Sequence, residues 1–143
     1  MSHLGRPKKR EKKLSLINVK QELERLLDHD VIFVENCIGP DAKKASEELI
    51  PGEVLLLENL RFYKEEIAGD EKFAQKLSSL ADIYVNDAYG TTHRAHASTS
   101  TIAKYFSEKS PGLLLEKEIF SLKKVLESPK KPVTAIVGGA KVS

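Results

Sequence analysis

Apolar residues along this chain fall into two recurring patterns. Leu16, Val19, Leu23, Leu26 and Leu27 return at helical spacing, with Ser15 in position to cap the N-terminus of that helix. Val31–Val34, Val54–Leu57 and Ile83–Val85 are instead short unbroken runs rich in β-branched and leucine residues, the mark of strands buried on both faces. Helical segments separate them. Asp41 is placed to cap a helix through Leu49, which Pro51-Gly52 ends. Gly69-Asp70 opens another, with Phe73, Leu77 and Leu80 on one face. Strand, helix, strand, helix, strand predicts an α/β fold, a Rossmann-like parallel sheet with helices on both faces. In such sheets ligands sit beyond the carboxyl ends of the strands.

After residue 90 the pattern changes. Residues 92–106 are rich in Ala, Ser, Thr and His and read as a loop running into a helix. Leu113–Leu126 is a strong helix with apolar residues spread around it. Residues 132–137 read as a further strand, followed at once by Gly138-Gly139-Ala140-Lys141. Both ends look interrupted. Ser2-His3-Leu4-Gly5-Arg6-Pro7 resembles the exit from a strand, and a glycine pair after a strand normally opens a helix. The expected sheet is therefore truncated at both ends.

Composition narrows the class. The 143 residues are 41% hydrophobic and 31% charged, as in a globular chain. A single cysteine, Cys37, excludes an internal disulfide framework and fits a reducing compartment. No apolar run is long enough to span a bilayer. The net charge of +2 hides an asymmetry: residues 6–13 hold six bases and one acid, and the rest of the chain carries a small acidic excess. Such a segment reads either as a nucleic-acid patch or as a solvated loop. It lacks the aromatic residues that single-strand binding often uses.

The strand ends carry the candidate chemistry. At the first, Gly5 permits a tight turn while His3 and Arg6 supply donors that can grip an anion; a plain turn is the alternative. At the second, Arg61 can reach a phosphate or carboxylate, or can pair locally with Glu65 or Glu66. At the third, Arg94 stands between His93 and His96, either of which can be charged near neutral pH. His-x-x-His could hold a metal, but no Cys or carboxylate cluster offers a third ligand. At the last, Gly138 and Gly139 expose backbone N–H groups that can cradle a phosphate, with Lys141 as a point charge. The Walker A spacing is absent, and no Gly-x-Gly-x-x-Gly follows a strand, which argues against a dinucleotide-binding oxidoreductase. Arginine-bearing strand ends with no nucleophile–base pair suit phosphoryl transfer, where the protein mainly positions groups and neutralises charge.

Met1–Pro7, Leu57-Glu58-Asn59-Leu60-Arg61-Phe62, Tyr84–Thr91 with His93-Arg94-Ala95-His96, and Gly138–Ser143 closely resemble the phosphoglycerate kinase family, in its order and spacing. The resemblance covers essentially the whole chain. It implies reversible phosphoryl transfer between 1,3-bisphosphoglycerate and ADP, giving 3-phosphoglycerate and ATP with Mg2+ in glycolysis. It also implies a cytoplasmic enzyme, usually monomeric, with small-molecule substrates and no nucleic-acid or membrane partner. His3, Leu4, Gly5, Arg6, Arg61, His93 and Arg94 match the family's contacts to the acid substrate. Gly138, Gly139, Ala140 and Lys141 match its nucleotide-side loop, Lys141 being the catalytic lysine; no residue matches a protein metal ligand. The resemblance assigns 1–112 to an incomplete N-terminal glycerate-binding domain and 113–130 to an interdomain helix. Residues 131–143 match the first strand and glycine loop of a nucleotide-binding domain. The family's Asp-x-Asn substrate loop and most of its nucleotide domain have no counterpart in these 143 residues, so the chain alone is expected to be inactive.

Overall fold

The computed structural model describes residues 1–136 and Gly138. In chain order its elements are α1 (Ile17–Leu27), β1 (Val31–Val34), α2 (Pro40–Glu47), β2 (Val54–Leu57), α3 (Lys64–Ala68), α4 (Glu71–Ser78), β3 (Ile83–Asn86), α5 (Tyr89–Thr92), β4 (Glu108–Pro111) and α6 (Leu113–Glu127). Short 3-10 turns cover Lys12–Leu14, Leu60–Phe62 and Thr101–Tyr105.

The parallel α/β class is as expected. β1 pairs with β2 in parallel, Val31 beside Val54 through Val34 beside Leu57. Their alternation divides the core. Val31, Phe33, Val54 and Leu56 face a cluster with Leu16, Leu23 and Leu4. Val34, Leu55 and Leu57 face the larger cluster of Cys37, Ala42, Phe73, Ala74, Leu77, Ala97, Ile102 and Phe106. Helix α1 thus covers one face of the pair, and α2 and α4 the other, which is why both strands are apolar throughout.

Several local expectations need correction. The strands do not form one continuous sheet: β3 pairs in parallel with β4, separately from β1–β2. Met1–His3 lies between the pairs without strand pairing, the Leu60 N–H donating to the Ser2 carbonyl at 3.1 Å. Strand β4 is absent from the hydrophobic pattern because Glu-Lys-Ser-Pro is polar and exposed at all four positions, as suits an edge. Residues 133–136 lie in no strand; they have no neighbouring strand to pair with among the described residues. From the end of α5 at Thr92 the segment to 106 runs as a loop into the 3-10 turn Thr101–Tyr105 rather than into an α-helix. Leu16 rather than Ser15 is the cap residue of α1, although Ser15 Oγ still accepts from the Ile17 N–H at 3.2 Å while donating to Glu58; Asp41 lies inside the first turn of α2 rather than at its cap. Asp70 does cap α4, accepting from Phe73 N–H at 2.7 Å. On α6, Leu115 alone is buried while Leu113, Phe120 and Leu126 are exposed.

Candidate functional site

The end of β2 is the anchor post. Glu58 and Asn59 are buried polar residues at the point where the chain leaves the sheet. Glu58 accepts from Ser15 Oγ at 2.6 Å, Leu16 N–H at 2.7 Å and Asn59 N–H at 2.6 Å. The Asn59 amide donates to the carbonyls of Leu4 and Leu14, both at 2.8 Å. Together they pin both feet of the loop 4–15. Burial makes these bonds worth having, since each group would otherwise be desolvated without a partner.

Gly5 sits in that loop at φ +63, where a Cβ would press on Leu14. Its carbonyl accepts from Arg61 Nη1 at 2.6 Å. Arg61 is therefore tethered across the site rather than paired with Glu65 or Glu66. Its guanidinium feels Arg94 and Arg6 strongly enough that, after burial, they push its proton affinity down. Leu4 contributes its carbonyl to Asn59 and its side chain to the core.

The third strand end is held from α3. The Ala97 N–H donates to the Glu66 carbonyl at 2.8 Å, and Ser98 donates to the Glu66 carboxylate through both N–H (3.0 Å) and Oγ (2.6 Å). Gly69, at φ +66, closes α3 where its own Cβ would collide with the Ala95 carbonyl. These contacts bring His96 to 3.9 Å from Glu66 and bury it. Burial, then the charges of Arg61, His96 and Arg94, push the proton affinity of His3 down. Burial likewise lowers that of His96, with Glu66 opposing and Arg61, Arg94 and His93 assisting.

Arg6, Arg61 and Arg94, with His3, His93 and His96 among them, gather bases from three separate segments closely enough that the arginines and burial disfavour protonation of His3 and His96. A cavity of about 380 Å3 lies beside this cluster, lined by Ser2, His3, Leu60, Asn86, Thr91 and Ser98 among others. Asp87, at the end of β3, accepts from Leu115 N–H at 2.8 Å and so ties α6 to the same edge.

Gly138 is exposed; Gly139, Ala140 and Lys141 lie outside the described residues. Among the described residues no group of three or more His, Cys, Asp or Glu could hold a metal. The sequence does not mark Glu58, Asn59 and Glu66 as the supports of the site: Glu66 reads there only as a local partner for Arg61. Acids inside Leu-Glu-Asn-Leu and Lys-Glu-Glu-Ile look like surface charges until the fold buries them. Arg10 also departs from a solvated loop: it donates to the Glu35 carbonyl at 2.9 Å and lies over the Phe62 ring.

A family model described as phosphoglycerate kinase matches residues 1–143. Curated relatives include the phosphoglycerate kinases of Moorella thermoacetica, 56% identical over 144 residues, and Anaeromyxobacter dehalogenans, 54% identical over 145. The alignments take in 100% and 99% of this chain but 36% and 37% of those proteins. Among solved structures, phosphoglycerate kinase from Coxiella burnetii superposes with a TM-score of 0.81 at 38% identity, covering 98% of this chain and 35% of that one. The Pyrococcus horikoshii enzyme gives 0.80 at 36% identity, covering 91% and 33%. The chain spans little more than a third of the length of the curated relatives it matches.

Proposed function

Since this chain belongs to the phosphoglycerate kinase family, a family of phosphotransferases, we propose that its cationic cluster holds the phosphate-bearing acid of that reaction. The whole reaction in this reading is reversible transfer between 1,3-bisphosphoglycerate and ADP, giving 3-phosphoglycerate and ATP. The carrying observation is that His3 and Arg6 of the N-terminal stretch, Arg61 after β2 and Arg94 and His96 beyond β3 come close enough to act on one another's charge, with Arg61 tied to the Gly5 carbonyl at 2.6 Å. A multiply charged small molecule is the ligand that such a cluster selects. Guanidinium groups offer paired donors to phosphate or carboxylate oxygens, and tethering Arg61 to Gly5 sets its direction beforehand.

Residues 1–112 in this reading form the glycerate side. Residues 113–130 form the helix between domains, which the exposed apolar residues on several sides of α6 support. Residues 131–143 open the nucleotide side, with Gly138, Gly139 and Ala140 against the phosphates of ADP or ATP. Lys141 neutralises charge on the transferring group. Mg2+ belongs with the nucleotide phosphates; among the described residues no group of three or more His, Cys, Asp or Glu would hold it. No described helix is long and apolar enough to cross a membrane. A cytoplasmic setting accords with the lone buried thiol.

The test is calorimetric. The 143-residue chain should bind 3-phosphoglycerate, and Arg61→Met and Arg94→Met should each weaken binding at least about tenfold while leaving the thermal midpoint within a few degrees. The same chain should show no ATP formation in a coupled assay. Equal binding by wild type and both variants would overturn the assignment.

A further inference from the structure

We propose that Glu66 is a positioning residue for the anion site: its buried carboxylate, braced on Ser98, is the counter-charge that holds His96 ready to take a proton as the anion arrives. The proposal rests on the reading of the cluster as an anion site.

Glu66 is 3% exposed and His96 7%. The carboxylate spends its two short hydrogen bonds on Ser98, and its backbone carbonyl holds Ala97. Residues 96–98 are therefore fixed to α3 at both main chain and side chain. Within 4 Å, among the described residues, the ion-pairing partner of Glu66 is His96 Nδ1.

The groups acting on His96 come from every neighbouring segment. They are His3 from the N-terminal stretch, Arg61 from the end of β2, His93 and Arg94 from its own loop, and Glu66 from α3. Only Glu66 is acidic. Glu66 is the one of these groups that favours the protonated imidazole, although burial and the arginines still hold the His96 proton affinity below its ordinary value. A buried base beside cations loses its proton readily, and an opposite charge at 4–6 Å restores about one unit or more. Binding of a polyanion then cancels the arginine charges, and His96 takes up a proton. Glu66 sets the pH at which this uptake occurs.

The ion for the test is sulfate, because a phosphomonoester has its own second pKa near 6. The 143-residue chain is titrated with sulfate in buffers of different ionisation enthalpy, which gives protons taken up per anion bound. The His96 midpoint is followed by nitrogen chemical shifts. Glu66→Gln retains an acceptor and a polar partner for Ser98 but removes the charge. It should move the free and bound His96 midpoints down by about one unit. Proton uptake should fall near zero at pH 7 and reappear about one unit lower. Ser98→Ala, which keeps the charge and the backbone bond but loses the hydroxyl brace, should move both midpoints by less than Glu66→Gln. Adding Glu66→Gln to His96→Gln should change uptake no further. If Glu66→Gln loses its native spectrum, Glu66→Asp withdraws the carboxylate by one methylene and should shift the midpoints in the same direction by less.

Unchanged His96 midpoints in the folded Glu66 variant overturn the proposal, as does an equal shift in Ser98→Ala. Failure of the chain to prefer 3-phosphoglycerate over sulfate overturns instead the assignment of the acid substrate. The His96 titration reads the Glu66 coupling either way.

Discussion

Replacing Glu58 by alanine is the sharpest test of how the site is built. The wild-type carboxylate accepts three bonds of 2.6–2.7 Å, two of them from backbone N–H groups. Leu16 and Asn59 are almost wholly buried, so water reaches the abandoned donors poorly. Each buried N–H left without a partner costs about 1–3 kcal/mol, so the pair and the lost Ser15 bond together give about 3–5 kcal/mol. That is a large share of the 5–15 kcal/mol typical of a domain. Glu58→Gln keeps one acceptor oxygen for both N–H groups, and the Ser15 hydroxyl can turn to accept from the new amide. Its cost should be only about 1–2 kcal/mol. Urea denaturation followed by circular dichroism measures both, with m-values checked for constancy. The reasoning is refuted if Glu58→Ala stays within about 1 kcal/mol of wild type, or if Gln costs as much as Ala.

Three further outcomes are expected. Gly69→Ala forces a side chain into a left-handed backbone and against the Ala95 carbonyl, so it should destabilise by about 2–4 kcal/mol and weaken sulfate binding. Gly52→Ala shares the positive φ but meets nothing within 4 Å, so a thermal melt should show a smaller loss and sulfate titration no change. Burial first, and then the nearby Glu58 carboxylate, push the Cys37 thiol up to about 12, and its Sγ donates to the Glu58 carbonyl at 2.8 Å. At pH 8 it should react with an aromatic disulfide at least about 100-fold more slowly in the folded chain than in urea; equal rates would contradict this burial.

What the sequence disclosed was whatever the hydrophobic pattern carried directly. Val31–Val34 and Val54–Leu57 are apolar at every position because helices cover both faces, so their boundaries could be read to the residue. Strand β4 could not be, since an exposed edge imposes no hydrophobic demand on Glu108–Pro111. The cationic members of the site were visible because arginine and histidine after a strand are conspicuous. Their supports were not. Glu58 and Glu66 differ from surface acids only in what the fold packs over them, and Ser15 reads equally as a helix cap or, as here, a tether to an acid 43 positions away. Whether the chain forms one sheet or two pairs depends on what occupies the space between β2 and β3, which no local pattern encodes.

The spacing of the tethers has a kinetic consequence. Asn59 reaches back 55 positions to Leu4, Arg61 reaches 56 to Gly5, and Glu66 reaches forward 32 to Ser98. Each closure must meet its loop entropy before the contact contributes, and none can form within an isolated hairpin or helix. A half-folded chain therefore has scattered bases but no anion grip. An anion bound at the assembled cluster draws the equilibrium toward the finished fold by mass action alone, with no competing affinity in the unordered chain. On the proposed reading, a site that takes an anion is also a check that three distant stretches of polypeptide have found one another.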